Sequence, residues 1–89
     1  MSEQIIQIEN VSPLDLYGVG DKHLEHIKRL FPKIKLIARG NLLKVMGETE
    51  AMEDFILRFE LVMLHLERFG NISEKVIDQI MVGEGDDAV

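Results

Sequence analysis

The chain contains no cysteine, which excludes disulfide staples and thiolate metal sites and fits a reducing compartment. It also lacks any window near the roughly 20 apolar residues of a membrane span. The first residues, MSEQIIQIEN, carry neither a basic leader nor an apolar run of signal-peptide length. From these absences we expect a cytoplasmic protein with no membrane partner. Internal repeats and low-complexity tracts are missing as well, apart from the terminal GEGDDAV.

Catalytic and cofactor signatures are equally scarce. The segment GVGDKH starts like GxGxxG, but His23 stands where the third glycine belongs, and no clear strand leads into it. No GxxxxGK followed by Ser or Thr occurs, so the chain has no Walker A loop of its own. His23 and His26 are three residues apart on one helix but have no evident third ligand, so no metal site is expected. His65 is isolated. Ser2, Ser12 and Ser73 are explained by a terminus, a turn and a helix cap, which leaves no hydrolytic triad. Glu53 with Asp54 fits helix polarity and Asp86 with Asp87 a solvated tail, so paired catalytic carboxylates are unsupported. We expect no enzyme and no cofactor in this segment.

What the chain does have is the composition of a folded domain, since 46% of its residues are hydrophobic and 29% charged. At 89 residues it makes one small domain that buries roughly 60 to 65% of its unfolded surface. Its charges are uneven. Between Lys22 and Lys44 seven basic residues stand against one acid, Glu25, so that window carries +6 and the remainder −12 of the net −6. Such a basic centre is either a polyanion site or a solvated face neutralised by its acidic neighbours. The only aromatic in the window is Phe31, a core candidate, so base stacking is not predicted.

Ile6 and Ile8 alternate with Gln7 and Glu9, the period of a half-buried strand over about residues 4 to 10. Pro13, Gly18 and Gly20 then read as a connecting loop. Asp21 stands as an N-cap before a helix on Leu24, Ile27, Leu30 and Phe31, which Pro32 ends. The period returns to two from Lys33. A two-residue turn at Gly40 and Asn41 pairs Ala38 with Leu43 and Leu36 with Val45 on one face. The other face pairs Arg39 with Leu42, Ile37 with Lys44 and Lys35 with Met46, a mixture of cations and aliphatics.

Thr49 reads as the cap of a long helix to about Phe69, with Met52, Phe55, Ile56, Phe59, Val62, Met63, Leu66 and Phe69 on its core face. Leu57, Leu61 and Leu64 fall among the polar residues instead. This second stripe requires a cover, either a further helix of the chain or a partner. Gly70 ends the long helix and Ser73 caps a last one, with Ile72 stapled to Ile77 and with Val76, Ile80 and Met81 also apolar. The expected fold is α+β, a small three-stranded sheet with helices packed on one face, in β-α-β-β-α-α order. Residues 1–82 form the domain and 83–89 an acidic linker or tail.

The stretches SPLDLYGVGDKHLEHIKRLFP, KIKLIARGN and LLKVMGETEAMEDF resemble the N-terminal segment of the PhoH-like ATPases, from about Ile5 to Met81. The most specific positions are Leu16, Gly18, Asp21, Ala38, Arg39, Gly40, Asn41 and Gly47. The resemblance implies a reduced KH-type domain placed before a cytoplasmic P-loop ATPase domain, in a family associated with phosphate starvation and RNA metabolism. It further implies a truncated piece of a longer protein that binds ATP and Mg, with the tail from Gly83 leading toward the missing domain. No position here matches the nucleotide site. The implied partners are its own ATPase domain or neighbouring subunits through Leu57, Leu61 and Leu64, and RNA. A KH domain clamps nucleic-acid backbone with a GxxG loop between two helices, whereas GVGD here reads as preceding the first helix. Phosphate contact is therefore expected from the side chains of Lys28, Arg29, Lys35, Arg39 and Lys44.

Overall fold

The computed structural model describes residues 2–82. Its elements are β1 (Ser2–Gln7), α1 (Pro13–Tyr17), α2 (Lys22–Leu30), β2 (Lys35–Arg39), β3 (Leu42–Gly47), α3 (Thr49–Phe69) and α4 (Glu74–Val82). A single 3-10 turn, Val19–Asp21, joins α1 to α2. The three strands form one antiparallel sheet in the order β1-β3-β2. The α+β class with a small three-stranded sheet is therefore the observed one. The expected tail from Gly83 lies outside the described residues.

The hairpin has the register that the alternation demands. Ala38 lies opposite Leu43 and Leu36 opposite Val45, while Arg39, Ile37 and Lys35 face Leu42, Lys44 and Met46. Gly40 supplies the left-handed turn residue at φ 58°. Because side chains alternate, Ile6, Leu36, Leu43 and Val45 share the inner face, and all four are buried. The helices cover that face with Leu16, Leu24, Ile27, Phe55, Phe59, Val62, Ile77 and Met81, all in one core.

α3 presents Met52, Phe55, Phe59, Val62 and Leu66 to this core. Phe55 stacks on Phe59 with ring centres 5.5 Å apart, and the ring of Phe31 meets Phe55 edge-on at 5.2 Å. α4 begins with Ser73 Oγ accepting from the Val76 amide at 3.3 Å, and Ile72 and Ile77 are both buried, as the staple requires. Two polar ties fix α4 to its neighbours. His26 Nε2 on α2 meets Asp78 Oδ1 at 2.6 Å, and Arg58 Nη1 on α3 donates to the Ile80 carbonyl at 3.1 Å. His26 therefore faces α4 rather than open solvent.

Four expectations need correction. The segment read as a loop contains α1, because Ser12 accepts from the Leu14 amide, Pro13 occupies the first turn where it costs no hydrogen bond, and Gly18 closes the helix. The first strand runs over Ser2–Gln7 rather than 4 to 10, and Asn10 turns the chain at φ 71°. Thr49 is the first helical residue, not the cap. Glu48 stands at the cap position without a side-chain bond, and the Thr49 hydroxyl shares a 2.6 Å hydrogen bond with Ser2. Phe69 is 65% exposed; at the end of α3 it lies against His65, with ring centres 4.6 Å apart, rather than in the core.

These placements separate two phenylalanines of one helix. Phe55→Ala should lower stability by about 3–5 kcal/mol, the cost of emptying a packed aromatic site, and Phe69→Ala by under about 1 kcal/mol. Chemical denaturation of the two variants checks the contrast.

Candidate functional site

The outward face of the sheet is a three-by-three grid set by the strand register. One row is Glu3, Met46, Lys35; the next Ile5, Lys44, Ile37; the last Gln7, Leu42, Arg39. Three cations, four aliphatics, one amide and one carboxylate thus share a surface that no helix of the described residues covers. Ile5 is 56% and Leu42 41% exposed. At its centre a shallow pocket of about 220 Å³ is lined by Ile5, Ile37, Arg39, Leu42 and Lys44. Lys44 Nζ lies 3.4 Å from Glu3 Oε2. Among the described residues no carboxylate lies within ion-pair distance of Lys35 or Arg39.

The other two predicted phosphate ligands sit elsewhere. Lys28 and Arg29 belong to the last turn of α2, in the helical layer on the opposite side of the sheet, and Lys28 is 3.6 Å from Glu25. Lys22 lies 3.9 Å from Glu74 on α4. The basic window is therefore continuous in sequence but divided in space. Lys35, Arg39 and Lys44 come together; Lys28 and Arg29 do not join them.

Sequence reasoning missed the placement of GVGD. With α1 in front of it, this segment joins two helices rather than preceding one. Gly18 adopts φ 83°, ψ 170°, and a Cβ there would come within 3.1 Å of the His23 ring. Gly20 and Asp21 are both left-handed, at φ 64° and 60°. Asp21 occupies the cap position of α2 but makes no side-chain cap bond, so the expected capping role is not met. The signal that could have revealed α1 is Ser12-Pro13 followed by Gly18, a start and a stop five residues apart.

Beneath this loop lie two unsatisfied polar atoms, the Tyr17 hydroxyl and His23 Nδ1. Burial pushes the Tyr17 phenol above its ordinary value, and the nearby Asp21 carboxylate raises it further. Among the described residues no group of three acidic or histidine side chains could hold a metal ion, and no helix is long and apolar enough to cross a membrane.

The third predicted surface is on α3. Leu57, Leu61 and Leu64 are 61%, 49% and 43% exposed. Each lies two residues from a buried neighbour, which places it about 200° round the helix from the core-facing line. α4 does not cover them. It packs along the flank, leaving a groove lined by Leu61, Leu64, His65, Arg68, Phe69 and Ile80.

Comparison with protein-family models, with curated proteins and with solved structures finds no match for the chain.

The loop makes a spectroscopic prediction, because Tyr17 is the only tyrosine and the chain has no tryptophan. Its native phenol should ionise above 10.0, and near that ordinary value once the chain is denatured. Since the folded pKa is the higher one, stability is retained below pH 10 and falls as pH rises through the folded value. Absorbance titration of native and denatured protein checks this. Asp21→Gly should shift the native titration toward its ordinary value. It should also add about 1 kcal/mol of stability by relieving a left-handed non-glycine residue.

Proposed function

We propose that the chain is a non-catalytic accessory domain, similar to the KH-like N-terminal segment of PhoH-like ATP-binding proteins, which packs on an ATPase domain or on neighbouring subunits. The observation that carries this reading is the leucine stripe of α3. Three leucines aligned on the side away from the core form an apolar strip that α4 leaves open, and such strips are covered by protein in assembled molecules. ATP and Mg belong, in this reading, to the P-loop domain of the longer cytoplasmic protein and not to these residues.

A second reading, RNA binding by a KH-like domain, is favoured by one observation: GVGD lies between α1 and α2, where a KH domain holds its backbone-clamping loop. Against it stand the carboxylate of Asp21 in that loop and the division of the cations between two layers. Phosphate contact through Lys35, Arg39 and Lys44 would use a different surface from contact through the loop.

Leu61→Glu tests the first reading. The site is half exposed, so the variant should melt like the wild type, while a carboxylate in the apolar contact should weaken assembly by about 2 kcal/mol or more. Sedimentation of wild type and variant, alone and joined to a P-loop ATPase domain, reads the result; unchanged assembly in both settings refutes it. Anisotropy of a labelled single-stranded RNA at two salt concentrations tests the second. Steeply salt-dependent binding, lost in Arg39→Glu with Lys44→Glu, assigns it to the sheet face. Loss in Lys28→Glu with Arg29→Glu assigns it to the helical layer.

A further inference from the structure

We infer that the cover for the α3 leucine stripe is the open sheet face of a second copy of this chain, so that copies associate head to tail. The inference rests on the protein-contact reading above and names the contacting surface.

The two surfaces are complementary in composition. Glu53, Glu60 and Glu67 repeat every seven residues along α3 and lie three or four residues from the leucines, so they border the stripe. All three are exposed. Asp54 and Arg58 on the other flank neutralise each other, with Nε 3.0 Å from Oδ2, and Arg68 stands at the far end. The stripe is thus apolar with a net negative border. The sheet face is apolar with a net positive one, since Lys35, Arg39 and Lys44 outnumber Glu3 while Ile5, Ile37, Leu42 and Met46 fill the remaining space. The pocket of about 220 Å³ between Ile5, Ile37, Arg39, Leu42 and Lys44 exceeds the roughly 150 Å³ of a cavity that holds benzene. It therefore has room for a leucine side chain.

The two surfaces are distinct. The sheet's outer face looks away from the helices and the stripe looks away from the core, and the two adjoin at the β1 edge, where Leu64, Glu60 and Glu67 line a groove with Gln7 and Glu9. Because the two surfaces belong to different elements, one copy can offer its stripe while the next offers its sheet face.

Symmetric alternatives are disfavoured by charge. Sheet against sheet brings together two faces of like net charge, each with three cations against the one carboxylate of Glu3. Antiparallel α3 against α3 sets glutamates against glutamates. In a parallel pairing the available cation, Arg58, is already held by Asp54 and the Ile80 carbonyl. A heterologous contact satisfies both surfaces and yields either a closed ring or an open stack. RNA fits the sheet face less well, because none of its nine outward side chains is aromatic.

The decisive experiment mixes two blocked forms of the full 89-residue chain in sedimentation equilibrium. Lys35→Glu with Arg39→Glu spoils the sheet face only, and Leu61→Glu spoils the stripe only. Wild type should form species that grow with concentration, and added salt should weaken them. Each blocked form alone should associate at least roughly tenfold more weakly. Their equimolar mixture should restore association but stop at a one-to-one pair, since only one intact surface of each kind remains. Circular dichroism confirms that both forms are folded. Wild type that stays monomeric, or a mixture no larger than its components, overturns the inference. If Leu61→Glu abolishes association while the sheet variant behaves as wild type, the stripe remains a protein contact but its cover is not the sheet. Failure of both variants to change anything removes both readings.

Discussion

The rings of Phe31, Phe55 and Phe59 set the orientation of α3, and most of the molecule's surface follows from that orientation. Phe31 follows α2 immediately and is held there by Pro32, which prevents the helix from continuing. Its edge against Phe55, and the stacking of Phe55 on Phe59, lock one side of α3 into the core. Once that side is inward, helical geometry leaves Leu57, Leu61 and Leu64 no position except outward. The apolar stripe is thus a consequence of core packing, and α4 cannot hide it because its own apolar residues, Ile77 and Met81, are committed to the same core.

The sheet distributes charge by the same geometric logic. Strand alternation sends Lys35, Arg39 and Lys44 to one face and Leu36, Ala38, Leu43 and Val45 to the other. Lys28 and Arg29, only a few residues earlier in the chain, belong to a helix and so to another layer. Proximity in sequence therefore says little about proximity in space once the period changes from 3.6 to 2. An acidic chain ends with one cationic, half-apolar face on the sheet and one anionic, half-apolar stripe on α3, adjoining at the β1 edge.

The loop between α1 and α2 combines strain with desolvation. Two successive left-handed residues, one of them Asp21, sit over a buried tyrosine hydroxyl and a buried histidine nitrogen that have no partner among the described residues. Unpaired buried polar atoms cost stability, as does a left-handed aspartate. Both costs fall in or beside the segment that joins the first two helices.

The hairpin and its register, the inward face of α3 from Met52 to Leu66, the capping of α4 by Ser73 and the existence of a second leucine stripe are all legible in the order of residues. Each of these rests on short-range periodicity or on a turn residue with one acceptable geometry. Helix α1 was legible only in its cap residues, because five residues are too few to display a helical period. The exposure of the stripe, the departure of Phe69 from the core and the division of the basic window were settled by tertiary structure alone. They depend on which side of one element meets another, and on how far a packed layer extends, and neither is encoded within a single helix or strand.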